Sequence, residues 1–222
     1  SENYEDQKKH YLEDKNLSYI LYLTSLIDVK RVKNLYDFGC GDGDLGFALK
    51  IKFPQLNLYC TEGDSHCERI LNDRSYINFK NLNMINKKFE LIITTHALPH
   101  LSDINSIFSK FNDILNPNGY IFIETPNCSK KYWEGRHSDG PLLQFHTKKS
   151  IEKLAEKHNF ELINFSFSAY SFSDDHKYQK ESLDLYDRRQ SSIFTIQNLK
   201  KIIKKFIPKK LISLRQDFNQ IK

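Results

Sequence analysis

From Leu35 to Gly46 the chain reads Leu35-Tyr36-Asp37-Phe38-Gly39-Cys40-Gly41-Asp42-Gly43-Asp44-Leu45-Gly46, with glycines at alternate positions among three carboxylates. An apolar run ends at Phe38, and Leu45, Phe47, Ala48, Leu49 and Ile51 follow with the spacing of an amphipathic helix. Strand, glycine turn and helix make the first unit of a doubly wound α/β sheet, and such sheets bind ligands at the carboxyl ends of their strands. Glycine suits this turn because a ligand can approach backbone where a Cβ would collide. Gly41-x-Gly43-x-x-Gly46 also satisfies the dinucleotide fingerprint, with Glu62 about 20 residues further on. A pyrophosphate, however, needs free N–H groups and no facing carboxylates. S-adenosylmethionine carries no phosphate but a sulfonium, an ammonium and a carboxylate. The acid-rich turn therefore favours it, with a nicotinamide dinucleotide as the alternative.

A second group of chemistry-bearing residues is histidine. The apolar run from Phe89 to Thr95 leads into His96-x-x-x-His100, beyond the end of a predicted strand. Imidazole is a suitable base for a hydroxyl proton near neutral pH. His100 and His96 are the catalytic candidates, with His100 as the base. The bland alternative makes His100 a helix-start residue bonded to backbone. A metal is not expected: no acid follows in the HExxH pattern, Pro99 lies between the histidines, and Cys40, Cys60, Cys67 and Cys128 show no CxxC pairing. Farther on, residues 128–146 are the least regular stretch and hold Tyr132, Trp133, Arg136, His137 and His146. An aromatic, cationic loop at the carboxyl ends of strands suits an acceptor bearing phosphate or carboxylate, or a sugar stacking on a ring; the alternative is an ordinary crossover loop. These five residues and Tyr11 are the substrate candidates.

The elements that position these groups follow from periodicity. Residues 3–29 read as a helix that either lids a cofactor cleft or covers the sheet. A second strand spans 56–61 and delivers Glu62; helix 65–73 and a short strand at 76–79 follow. Only ten residues, 80–89, separate that strand from the next, so the intervening helix is absent or a single turn. Helix 103–115, with Ser102 or Asp103 as cap, precedes a strand at 120–124 that delivers Thr125-Pro126-Asn127. Thr147 is expected to cap helix 148–158, which ends at a left-handed Asn159. A strand at 161–167, a polar helical insert at 174–189 and a strand at 192–196 complete the sheet. There is no internal repeat.

Four segments, in order, carry a resemblance. Asp37-x-Gly39-x-Gly41-x-Gly43 resembles motif I of the class I S-adenosylmethionine-dependent methyltransferases, and Glu62 falls where their second-strand acid sits. Residues 89–101 look like the family's FDLI…HVLEHL segment, and residues 116–127 like its LKPGGxLxIxTPN. The resemblance covers roughly residues 30–168 and is closest to small-molecule O-methyltransferases of the quinone and sugar-tailoring type. It implies a Rossmann-like, seven-stranded, mostly parallel sheet with an antiparallel edge strand. It places the cofactor against Asp37, Gly39, Cys40, Gly41, Gly43, Glu62, Gly63, Leu82, Asn83, Thr95 and His96. Leu82 and Asn83 stand where an acid is more usual, and Phe145-His146-Thr147 resembles an H-F-F-T segment with His146 replacing the second aromatic. By analogy the reaction is O-methylation of a polar small molecule such as an activated sugar, a phosphorylated intermediate or another surface-polysaccharide building block. Thr95-His96-Ala97-Leu98 is not the Asn/Asp-Pro-Pro-aromatic sequence of N6-adenine or protein-glutamine methyltransferases. The rival readings are a non-catalytic S-adenosylmethionine-binding protein, an RNA or protein methyltransferase, and an NAD(P) oxidoreductase.

Charge bears on partners. The formal net charge is +5 over 222 residues, but Lys200 to Lys222 contain eight basic residues and one acid. The body is thus slightly acidic, with no nucleic-acid surface expected. The expected division is an N-terminal helical cap at 1–30, a cofactor-binding domain at 31–199 and a basic amphipathic tail at 200–222. Such a tail either lies on an anionic membrane or polyanion or packs on its own domain or a dimer partner. No apolar run reaches the ~18 residues of a membrane span. The first six residues show no signal-peptide pattern, and unpaired thiols suit a reducing compartment, so the expected location is cytoplasmic.

Overall fold

A computed structural model describes residues 15–126, 143–166 and 191–197. Seven strands form one sheet in the order β3-β2-β1-β4-β5-β7-β6. The helices are α1 (Lys15–Leu26), α2 (Asp44–Lys52), α3 (Glu68–Asp73), α4 (Ile104–Ile114) and α5 (Lys148–Lys157). The strands are β1 (Asn34–Phe38), β2 (Asn57–Thr61), β3 (Tyr76–Asn78), β4 (Phe89–Thr95), β5 (Leu115–Pro126), β6 (Glu161–Ser166) and β7 (Ser191–Gln197). The pairs β1–β2, β1–β4, β2–β3 and β4–β5 are parallel. Strand β7 runs antiparallel to both β5 and β6 and so lies one place in from the edge.

Both faces of the sheet are covered, which is why its central strands read as nearly continuous apolar runs. Leu35, Leu58, Leu91, Ile93 and Phe122 face α1 and α2. Tyr36, Ile92, Ile121 and Ile123 face α4 and α5 through Phe108, Phe111 and Ile151. Helix α1 covers the sheet within its described length: Tyr19 meets the Phe122 ring edge-on at 5.6 Å, and Ile20 and Leu23 are fully buried. Each such side chain contributes roughly 2 kcal/mol of apolar burial.

Local signals set the boundaries. Asp103 accepts from the Ser106 amide and starts α4. Thr147 and Ser150 form a reciprocal cap on α5, and Asn159 beyond it has φ +61°. The 80–89 connection contains one 3-10 turn, Leu82–Met84. The strand expected at 120–124 is longer: β5 begins at Leu115, directly after α4, with a register shift between Phe89 and Leu91 against β4. Asn116 is held there by the Glu90 carboxylate at 2.7 Å. The parts of the expected N-terminal helix before residue 15, the 174–189 insert and the basic tail lie outside the described residues. No helix among the described residues is long and apolar enough to cross a membrane.

Candidate functional site

The parallel strands bring the ends of β2, β1, β4 and β5 to one edge of the sheet, so residues 61–64, 39–44, 95–98 and 125–126 become neighbours. The glycine turn after β1 is anchored by the Gly39 amide donating to Thr61 O at 3.0 Å. Gly39 has φ +63°, and a Cβ there would lie 2.5 Å from the Ala97 Cβ. The turn after β4 is thus pressed against the glycine turn. Gly41 has φ +55°, but its Cβ would meet nothing within 4 Å, so this glycine borders open space. Gly63 borders open space as well.

Glu62 is the hub of this edge. Its Oε2 accepts from the Gly41 amide at 2.8 Å and its Oε1 from the Asp64 amide at 2.9 Å. Asn78, at the end of β3, brackets the Glu62 backbone by accepting from its N–H and donating to its carbonyl at 3.1 and 3.3 Å. A carboxylate has about four acceptor sites, so two remain for a ligand's hydroxyls.

The turn's charge is smaller than its residue count suggests. Asp37 is 2% exposed, and burial pushes its carboxyl up to about 8, while a hydrogen bond from Tyr76 pulls the other way. At neutral pH it is therefore mostly protonated. Asp44 pairs with the Arg74 guanidinium at 2.7 Å, and Arg74 also donates to the Asp42 carbonyl and covers the Phe47 ring. The turn thus does not present three bare carboxylates to a diphosphate, contrary to the expectation from the sequence. What disfavours a phosphate here is that Gly41's amide, a donor a pyrophosphate would need, is already held by Glu62. S-adenosylmethionine makes no such demand. An acid with spare acceptor capacity, beside two glycines bordering open space, fits its adenosyl portion.

The remaining cofactor candidates are more scattered. Cys40 is half-buried, and its thiol is pushed up by a hydrogen bond with Cys60 and by burial. Gly43 begins α2. Leu82 is half-buried against the α4 side of the core. Asn83 is exposed, and the Asn81 side chain accepts from its amide at 3.0 Å. Thr95 is half-buried and pairs in register with Glu124.

At the end of β4, His96 takes φ +57°, a left-handed conformation rarely adopted by a residue with a side chain. Glu124 fixes it twice. The His96 amide donates to the Glu124 carbonyl at 2.9 Å, and His96 Nε2 lies 3.3 Å from Glu124 Oε1. The glutamate side chain is 2% exposed and the histidine side chain 50%. His100 closes the 3-10 turn Leu98–His100 and is exposed, so the two histidines do not share the face of a regular α-helix.

The Leu143 and Gln144 amides both donate to the Pro99 carbonyl, at 2.7 and 3.0 Å, strapping this segment onto the same turn. His146 is thereby buried at 5% exposure. Burial pushes its pKa down, opposed by a hydrogen bond to the Leu98 backbone. Its Nε2 has no hydrogen-bond partner among the described residues. Tyr11, Tyr132, Trp133, Arg136 and His137 lie outside the described residues. Among the described residues, no three His, Cys, Asp or Glu side chains are grouped to hold a metal.

Sequence reasoning missed Glu124, Tyr76, Asn78 and Arg74. Only Glu124 left a signal, as one acid closing the apolar run Tyr120-Ile121-Phe122-Ile123. The others act between elements distant in the chain, where spacing along the sequence carries no information.

A family described as a methyltransferase domain matches residues 9–164, about two thirds of the chain. The chain belongs to this family. Its seven-stranded, Rossmann-like sheet is the fold of the class I S-adenosylmethionine-dependent methyltransferases. The methyltransferase shares its fold with an S-adenosylmethionine-dependent methyltransferase from Mesorhizobium loti, at TM-score 0.63 and 12% identity over 81% of this chain and 97% of that one. It is similarly related to one from Clostridium acetobutylicum, at TM-score 0.61 and 13% identity, covering 88% and 99%. A third is the O-methyltransferase of a trans-AT polyketide synthase from Brevibacillus brevis in complex with S-adenosylhomocysteine, at TM-score 0.61 and 14% identity, covering 86% and 74%. No curated protein sequence matches the chain significantly.

Proposed function

We propose that this methyltransferase moves the methyl group of S-adenosylmethionine to an oxygen of a small polar acceptor, with His96 as the base. The cofactor, when bound, supplies an electrophilic carbon: the acceptor oxygen bonds to it as its bond to sulfur breaks, and the electron pair stays on sulfur. Three jobs fall to the chain. Glu62 holds the ribose hydroxyls, while the open edges at Gly41 and Gly63 admit the rest of the adenosyl portion. The strap at 143–147 covers the turn after β4. His96 accepts the acceptor's proton as the nucleophile attacks.

The observation that carries this reading is the contact of Ala97 with Gly39, which sets the neighbouring His96 at the junction of the glycine turn and the β4 edge. His100 is the alternative base and stands farther along the same turn. The acceptor class favoured is an activated sugar, a phosphorylated intermediate or another surface-polysaccharide building block, in a cytoplasmic setting. That choice rests on the make-up of residues 128–146 and on family resemblance.

The test combines two measurements. Calorimetry with S-adenosylhomocysteine should show saturable binding, and NADH should show none. Transfer of labelled methyl from S-adenosylmethionine, screened over sugar nucleotides, phosphorylated metabolites and phenols, should find an acceptor. With that acceptor, His96→Gln should cut kcat ~100-fold or more and leave S-adenosylhomocysteine affinity within about twofold. Normal turnover in His96→Gln with loss in His100→Gln would move the base to His100. Binding with no transfer to any acceptor would favour a non-catalytic role.

A further inference from the structure

Glu124 is an acid where the fold calls for an apolar residue. It occupies β5 between Ile123 and Thr125, beside the central strand β4, with its side chain 2% exposed. A buried carboxylate is costly unless something compensates its charge. Among the described residues, the His96 imidazole, itself half in solvent, lies 3.3 Å from Oε1 and can compensate that charge. The same residue's carbonyl takes the His96 amide and so helps hold the left-handed turn. Strain of this kind persists only where surrounding contacts over-determine it, and it concentrates at functional sites.

We infer that Glu124 is a positioning residue for the methyl transfer, one that orients the His96 ring and stabilises the positive charge the ring gains with the acceptor's proton. This rests on the reading of His96 as the base. With Glu124 facing Nε2, the neutral ring carries its proton on that nitrogen and keeps the accepting lone pair on Nδ1. As the acceptor's hydroxyl proton passes to Nδ1, the ring becomes an imidazolium beside a water-excluded carboxylate. A fixed counter-charge in such a place favours the charged state that forms during reaction and needs no reorganisation to do so. The loose 3.3 Å separation suits a pair that tightens when the acceptor is bound.

The experiment uses the full chain with Glu124→Gln, Glu124→Asp and His96→Gln, alone and with His96→Gln combined with each Glu124 change. Glu124→Gln keeps size and removes charge. It is expected to lower kcat ~10- to 100-fold, leave S-adenosylhomocysteine affinity within about twofold, and move the acidic limb of the kcat/KM profile to lower pH. Glu124→Asp keeps the charge farther from the ring and should fall between parent and Gln. In the His96→Gln background neither Glu124 change should cost anything further. Should Glu124→Gln not fold, Glu124→Asp decides alone. Parental kcat and pH profile in either Glu124 variant would overturn the inference, as would loss of cofactor-product binding in step with loss of turnover. A fully active His96→Gln would instead overturn the assignment of the base.

Discussion

The Tyr76 hydroxyl on β3 lies 3.3 Å from the Asp37 carboxylate on β1, two strands away, and donates to the Gly43 carbonyl at 2.9 Å. One buried phenol thereby ties the glycine turn to the strand that precedes it. Tyr76→Phe removes both polar contacts and keeps the ring against Gly43. The variant should lose ~1 kcal/mol of stability in urea denaturation and bind S-adenosylhomocysteine severalfold more weakly. Unchanged affinity would show that the turn holds its shape without this tie.

The same pair sets a pH dependence. The folded protein keeps the Asp37 proton up to about 8, because the carboxyl is buried. The unfolded chain releases it near pH ~4. Between those limits unfolding releases a proton, so this group's contribution to stability falls as pH rises through the window. His146 and His158 work in the opposite sense. Burial lowers both, so their contributions are lost only as pH falls below that of an unfolded histidine. Melting temperatures at pH 7 to 8.5, without cofactor, separate the Asp37 effect only by comparing the parent with Asp37→Asn, because the raised Cys40 and Cys67 thiols add a decline of the same sign to both. The parent should lose stability across that interval, and Asp37→Asn should show a clearly shallower decline. Equal slopes would mean that Asp37 is ionised in the folded protein.

Much of the fold could be read from the chain because its cause is local. Alternating burial on two covered faces produced the apolar runs of β1, β4 and β5. Caps at Asp103 and Thr147 marked α4 and α5, and Asn159 ended the latter in the expected left-handed turn. The glycine turn and Glu62 were legible for the same reason, each being set by its own few residues. Arg74, Tyr76 and Asn78 were not. Each reaches a partner 16 or more residues away, across the sheet, and such contacts exist only once the strand order is fixed. The pairing of His96 with Glu124 was hidden likewise. Periodicity predicts which face a residue takes but not which neighbour on the adjoining strand it meets.

Glu62 can be tested without knowing the acceptor. In Glu62→Gln one of the two backbone donors, at Gly41 or Asp64, faces an amide NH₂ instead of an oxygen. The charge that strengthens hydrogen bonds from ligand hydroxyls is also gone. S-adenosylhomocysteine affinity by calorimetry should fall about tenfold or more, with the sheet intact by circular dichroism. Affinity within twofold of the parent would remove Glu62 from the ribose-holding role.

The two glycines after β1 separate close packing from ligand space. At Gly39 an added methyl meets the Ala97 Cβ at 2.5 Å, on a backbone already at φ +63°. Gly39→Ala must therefore push the β1 and β4 turns apart and bear left-handed strain, for a stability loss of ~2 kcal/mol or more. At Gly41 the methyl meets nothing within 4 Å, so only the strain at φ +55° remains. Gly41→Ala should cost ~1 kcal/mol in urea denaturation, because nothing has to be displaced. If the space beside Gly41 is where the cofactor lies, the two variants part ways in binding. Gly41→Ala should weaken S-adenosylhomocysteine by an order of magnitude or more despite its milder effect on stability. A Gly41→Ala protein that binds the product like the parent would mean that the cofactor does not approach this backbone.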